Sequence, residues 1–550
     1  MRTASELRGD LYGGATAAVV ALPLALAFGV ASGAGPLAGL YGAIFAGFFA
    51  AVLGGTRLQI TGPTGPMTVV MALIVTHFAG NPTAAFAVVV LAGVFQIVFG
   101  KMGLGRFINL TPQPVVSGFM SGIGVIIIIV QFAPVLGRPE PQGSVLEKLV
   151  ALPALLSDVN LHALLLAAAV LLLLFVTPNR LARFAPPPLI ALVAGTMAAF
   201  FLFPDVPVIG DIPHGLPSLV IPNLEVVDIQ YIIRFALMLA FLGSIDSLLT
   251  SIVVDSMTRT QHDSNRELVG QGIGNIAAGL LGGLPSAGAT MRSLVNVRAG
   301  GKSRLSGAIH SALLLLIVMG FGRIVQYIPL SVLAGILLKV GIDIIDWGAI
   351  KRVFSAPRAS VFIMLSTLLV TVLVDLITAV AVGFVMASVL FVARTADAQV
   401  KGARFLFGAD QIDDLGSEEE ALFEACNRRL VLFHMEGPLS FGSARDIARL
   451  MQSDIDKDVL AIDLRHVPFI DSSASAALDE VIERLSEEGD VVVLFGVREA
   501  VRSMLEKTGV LHRLGHEHIF TDRIEALTFA KSCIARRHVD GAGKSLEHED

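Results

Sequence analysis

The hydrophobic positions of this chain fall into two regimes. From residue 11 to about 395, apolar runs recur between short polar breaks, each close to the ~20 residues a helix needs to cross a bilayer. From 396 onward, short apolar runs of strand length alternate with stretches of helical period. The chain therefore reads as a cytoplasmic N-terminus (1–10), a polytopic α-helical membrane domain (11–395), a soluble α/β domain (396–536) and a disordered tail (537–550).

Fourteen membrane segments are predicted, near 11–30, 34–54, 62–78, 83–100, 113–135, 160–177, 187–203, 229–258, 266–283, 289–298, 304–321, 328–345, 357–374 and 376–394. The third and tenth differ from the rest. Each opens on small and helix-breaking residues, GPTGPMT at 62–68 and PSAGATM at 285–291. They hold corresponding places in two halves of seven. Interrupted helices at matching places point to a transporter site built from an inverted repeat. Half-helices whose N-termini meet at mid-membrane aim free N–H groups and positive dipole ends at one point, which suits an anion.

In the soluble part, strands are predicted at 430–437, 459–467 and 491–497, and helices at 471–489, 498–508 and 521–536. No catalytic constellation appears, so an enzyme is not expected. GAGKS at 541–545 is no phosphate-binding loop, because His538 stands where its first glycine belongs.

Composition sharpens this picture. Only 16% of residues are charged, against about 25% in a soluble domain. The net charge of −6 comes without a basic block, which argues against nucleic acid as a partner. Cys426 and Cys533 show neither metal-ligand spacing nor a disulfide framework, which fits a reducing compartment. With the N-terminus inside, most loop Arg and Lys fall on inner loops, among them Arg57, Arg106, Arg183, Arg266, Arg304 and Arg352. The outer loops hold Arg138, Lys148 and Arg323. That bias follows the positive-inside rule and puts both termini in the cytoplasm of a bacterial plasma membrane.

One residue carries the candidate chemistry. Asp246 stands in the middle of segment 229–258, where an aspartate costs about 3 kcal/mol and needs a partner. Thr250, four residues on, shares its helix face. With Gly288 and Thr290 at the start of segment ten, they form a candidate site for Na⁺ or H⁺. The companion anion site is expected at Thr64, Ala289, Thr290 and Arg292, with Thr68 as a further hydroxyl. Arg292 either attracts the anion or pairs with Asp246. Asp255, Asp343, Asp346 and Asp375 read as interfacial caps or loop contacts, and His310 as a packed or hydrogen-bonded helix residue.

Several stretches resemble the sulfate permease (SulP) anion transporter family. They are RGDLYGGATAAVVALPLALAFGVASGAGPLAGLYGA (8–43), TGPTGPMTVVMA (61–72), VSGFMSGIG (116–124), TRTQHDSNRELVGQGIGN (258–275), SAGATMRSLVN (286–296) and LKVGIDIIDW (338–347). FIDSSASAAL (469–478) resembles the family's C-terminal STAS domain. The resemblance is strongest to the branch of sodium-dependent bicarbonate transporters.

It implies a seven-plus-seven inverted repeat with core and gate domains, a homodimer to which STAS contributes, and no cofactor beyond a coupling ion. In the bicarbonate branch the residues matching Asp246, Thr250, Gly288, Ala289 and Thr290 hold sodium, and those matching Thr64, Ala289 and Thr290 hold the anion. That branch has glycine where this chain has Arg292. An arginine there resembles the pendrin–prestin branch and sulfate-type members, so a sulfate or dicarboxylate carrier coupled to protons or sodium is the alternative. A membrane-anchored regulatory module with a cytosolic STAS partner is a third reading. Ser473 matches the serine that is phosphorylated in bacterial anti-sigma antagonists.

Overall fold

The structure is a computed structural model. It describes all residues except 1–3, 80, 109–111, 140, 142–144, 158, 179–185, 211–216, 221–228, 375, 412–414, 427, 452–456 and 547–550. The chain divides into two compact units, Met1–Ala387 and Ser388–Asp550.

The first unit opens with α1 (Ala4–Ala31). A second span follows, made of α2 (Pro36–Tyr41), a π-helical turn (Gly42–Ala46) and α3 (Gly47–Leu53). Then come β1 (Thr61–Gly62), α4 (Gly65–His77), α5 (Pro82–Lys101), α6 (Gly105–Ile108), α7 (Gln113–Val135), α8 (Val145–Leu156), α9 (Leu161–Val176) and α10 (Pro187–Leu202). The later half has α11 (Ile229–Thr258), α12 (Ser264–Leu280), β2 (Ala287–Gly288), α13 (Thr290–Arg298), α14 (Arg304–Val325), α15 (Leu330–Ile344), α16 (Trp347–Lys351), α17 (Arg358–Leu373) and α18 (Leu376–Gly402).

A helix stands at each of the fourteen predicted segments. The third and tenth are short, α4 with 13 residues and α13 with 9. Starts are marked as physics requires. Prolines open α2, α5 and α10, where a missing N–H costs nothing. Asn81, Asn160 and Asp263 cap α5, α9 and α12 with side-chain oxygens. Three helices of this unit were not foreseen, α6, α8 and α16, and α8 meets α9 at a bend of 120°.

The membrane helices pack as two groups. In one, α5 lies along α12 and α11, and α1 and α3 lie on α14; in the other, α7 lies on α15 and α17, and α9 on α15 and α10. Lipid supplies no hydrophobic force between helices, so contact depends on close approach of small residues. Gly39 shows it, backing so tightly onto the Ala25 carbonyl that no Cβ fits.

The second unit is a five-stranded sheet in the order β3-β4-β5-β6-β7. Its strands are β3 (Arg404–Leu406), β4 (Leu430–Glu436), β5 (Val459–His466), β6 (Val491–Phe495) and β7 (Ile519–Phe520). Only β3 is antiparallel to its neighbour. The central strands are buried on both faces, which is why they read as continuous apolar runs. The helices are α19 (Ser417–Ala425), α20 (Ala444–Met451), α21 (Ser472–Glu487), α22 (Glu499–Lys507), α23 (Val510–Leu514) and α24 (Arg523–Leu546). One face of the sheet packs on α20 to α23, the other on α19 and α24. The backbone expected to become a disordered tail at 537 stays helical to Leu546. Extending a helix already nucleated costs far less than starting one.

Candidate functional site

The two interrupted helices are tied together by their lead-in strands. β1 pairs antiparallel with β2, Thr61 opposite Gly288 and Gly62 opposite Ala287. The Ala289 N–H donates to the Ile60 carbonyl at 2.8 Å. Strand pairing satisfies backbone groups that a broken helix leaves open and that lipid cannot solvate. It also sets the N-termini of α4 and α13 beside each other. Thr64 and Ala289, the residues before these helices, are extended, and neither side chain caps its helix. Their first-turn N–H groups stay available to a ligand.

α11 lies against β2. The Gly288 N–H donates to Ser247 Oγ at 3.0 Å. Thr250 Oγ1 donates to the Gly288 carbonyl at 3.0 Å and lies 2.7 Å from Thr290 Oγ1. Thr250 has one hydroxyl hydrogen and spends it on Gly288, so Thr290 donates to Thr250 and keeps its lone pairs free. Three of the four predicted cation-site residues are thus in direct contact.

Asp246, one turn before Thr250, completes the group. Its carboxylate lies near the Thr64 hydroxyl and the Arg292 guanidinium. Even so, Asp246 Oδ2, Thr64 Oγ1 and Arg292 Nη1 are enclosed and lack a hydrogen-bond partner among the described residues. Such groups are costly unless something binds them. The oxygens of Asp246, Thr250, Thr290 and Gly288 are the hard donors that a small alkali cation takes.

Arg292 is 2% exposed, and its Nη2 donates to the Pro63 carbonyl. Its guanidinium fills the space where a Cβ at residue 62 would project, so only glycine fits there. The structure places Arg292 under β1, between the two predicted roles: it faces Asp246 and keeps one nitrogen unspent. The Thr68 hydroxyl donates to the Thr64 carbonyl at 2.8 Å, so its hydrogen is already used within α4.

The polar stripe of α12 was missed by sequence reasoning. Glu267, Gln271 and Asn275 recur every fourth residue, and all three are buried. Glu267 accepts from Thr56 N at 2.7 Å and from Gln59 Nε2 and Gln271 Nε2 at 2.8 Å each. Gln271 also donates to Thr61 Oγ1 at 2.7 Å, while Asn275 holds Ser286 through both its N–H and its carbonyl. The lead-ins to both broken helices therefore hang on one face of α12. The i, i+4, i+8 spacing was the available signal.

Other expectations divide. Asp346 caps α16 and accepts from Ser117, Asp255 holds Thr260 and His262, and Asp343 pairs with Lys339. Asp375 lies outside the described residues. His310 is enclosed on α14, but neither ring nitrogen has a hydrogen-bond partner among the described residues.

In the second unit Ser473 is exposed in the first turn of α21, capped by Asp471. A separate charged cluster occupies the ends of β4 and β5. Asp463, fully buried, binds His434 Nδ1 at 3.1 Å and Arg465 at 2.7 Å. Burial opposes its charge, but the bonds from His434 and Arg465 outweigh burial and hold the carboxyl below its ordinary value. The bond to Asp463 raises His434 above the ordinary imidazole value against burial, helped by Glu436.

A helical membrane domain with two broken helices crossed by a strand pair, followed by a small α/β domain, defines a membrane transporter of the inverted-repeat class. Residues 7–367 match the model of the Sulfate permease family and residues 425–526 that of the STAS domain. The chain is 46% identical over 528 residues to "Bicarbonate transporter BicA" of Synechocystis sp., covering 95% of this chain and 94% of that one. It is 32% identical over 522 residues to "Putative sulfate transporter YvdB" of Bacillus subtilis, covering 93% and 95%.

Among solved structures it matches the transmembrane domain of a cyanobacterium bicarbonate transporter BicA, with TM-score 0.66 at 49% identity, over 69% of this chain and 98% of that one. The fold of murine Solute Carrier 26 family member A9 also matches, with TM-score 0.84 at 19% identity, over 97% and 92%. This chain belongs to the sulfate permease family and carries its C-terminal STAS domain.

Proposed function

We propose that the protein is a sodium-coupled bicarbonate symporter that carries its substrate into the cytoplasm. The observation that carries this reading is the convergence of Asp246, Thr250, Gly288 and Thr290 beside two uncapped helix starts. The identity to the BicA relatives supports bicarbonate.

In this reading Asp246 and Arg292 balance each other when no ion is bound. Sodium at Asp246, Thr250, Thr290 and the Gly288 carbonyl leaves a net positive charge. That charge draws bicarbonate to the N–H groups following Thr64 and Ala289, with the Thr64 hydroxyl and Arg292 Nη1 as further donors. The loaded group of helices α1–α5 and α11–α14 then moves against the other group. Both termini face the cytoplasm, the working form is a homodimer, and Ser473 is a regulatory serine of the STAS domain.

A second reading has its own support. Arg292 suits a more highly charged anion, and the chain is related to a putative sulfate transporter. Uptake of labelled bicarbonate and of labelled sulfate into proteoliposomes, with and without a sodium gradient, separates the two. Sodium-dependent bicarbonate uptake is expected. Sulfate uptake without bicarbonate flux overturns the first reading, and absence of any anion uptake favours the regulatory module.

A further inference from the structure

A cavity of about 180 Å³ lies between the C-terminal half of α4 and helices α1, α7, α8 and α15. Its floor is at Thr68 and Val69, one turn beyond Thr64. Its walls are mostly apolar, from Phe28, Ile126 and Val130, and Gln131 and Thr76 add polar groups. Lys148 on α8 is the only charged residue among the described lining. It belongs to the loops that the charge bias assigns to the outer face. A mostly apolar lining with a few polar side chains offers a small ion little to hold it, which is what a path needs.

The cavity stops short of the site. Gly65, the first residue of α4, faces the δ-methyl tips of Ile127 and Ile344. A Cβ at position 65 would lie 2.8 Å from the first and 2.7 Å from the second. Ile127 also lines the cavity. Two branched side chains, one from α7 and one from α15, thus close the gap between the cavity and the α4 start. They touch backbone that a larger residue would have pushed away.

We propose that this cavity is the outer vestibule for the small inorganic anion, and that Ile127 and Ile344 form an apolar plug between it and the site. Gln131 and Thr76 line the anion's way. Water and ion cross only when movement of α4 against α7 and α15 withdraws Gly65 from the two methyls. A passage narrowed by methyl groups excludes ions by dewetting, so the plug keeps the path shut while the site is loaded from the other side. The inference rests on the carrier reading above and specifies its route.

Cysteine labelling tests it, because Cys426 and Cys533 both lie in the second unit and the parent protein sets the background. Full-length Thr76→Cys, Gln131→Cys and Ala289→Cys variants are treated in intact cells with a membrane-impermeant thiosulfonate. Thr76→Cys and Gln131→Cys are expected to label readily from outside, and Ala289→Cys slowly. Adding Ile127→Ala and Ile344→Ala raises the Ala289→Cys rate at least tenfold and leaves the Thr76→Cys rate unchanged. If the alanine pair fails to fold, Ile127→Val with Ile344→Val gives a smaller rise in the same direction. Inert Thr76→Cys and Gln131→Cys, or an Ala289→Cys rate indifferent to the plug, overturns the vestibule. Labelling needs no transport, so that failure is distinct from the absence of anion uptake, which overturns the carrier reading itself.

Discussion

At the scale of single residues, the chemistry depends on how few groups are left without partners. Asp246 keeps one carboxylate oxygen unspent although Thr64 and Arg292 lie near it. Asp246→Asn keeps the shape and removes the charge. It is expected to abolish cation-dependent uptake while the purified protein keeps its elution volume and thermal midpoint. Unchanged sodium dependence would refute the role.

His434 offers a test at the same scale in the second unit. Its raised value means that the stability it contributes is complete below the unfolded imidazole value and is lost as pH rises through the folded one. Asp463, held low, contributes above its ordinary value and loses that contribution only in acid. The pair is therefore strongest between the ordinary carboxylate range and the raised imidazole value. His434→Gln should cost about 1 kcal/mol there. The measurement is amide exchange of β4 and β5 in the full chain. Exchange is expected to be several-fold faster than wild type near pH 6, with the difference closing near pH 9.

At the scale of elements, α12 is the support on which both interrupted helices hang. Every described bond to Glu267 is donated to it, by Thr56, Gln59 and Gln271. A glutamine at 267 would turn its own amide hydrogens against one of these donors. Glu267→Gln is therefore expected to cost about 2–3 kcal/mol and to reduce uptake at least tenfold at equal protein level, read from thermal unfolding and proteoliposome flux. Wild-type flux in that variant would mean that the strand pair holds without α12. The stripe was legible as a period of polar residues in an apolar helix, yet its meaning was not. Nothing near Glu267 in sequence says that residues two hundred positions away supply its donors.

At the scale of the molecule, the two compact units have separate cores. A BicA transmembrane domain has been solved as a chain by itself, and this chain covers nearly all of it. A chain ending at residue 400 is accordingly expected to fold as a membrane unit, giving one symmetric peak in size exclusion and a cooperative melt. An aggregated product would show that the first unit needs the second.

The spans, the two breaks and the soluble α/β unit were readable from the chain, because hydropathy length and strand or helix period are local properties. The candidate residues Asp246, Thr250, Thr64 and Thr290 were readable for the same reason: each stands out against its own apolar neighbours. The pairing of β1 with β2 was not, nor was the turning of Thr68 into its own helix, the position of Arg292 beneath Gly62, or the isoleucine plug on Gly65. Each depends on which distant surfaces meet, and that is decided by packing and by the need to satisfy every buried polar group at once.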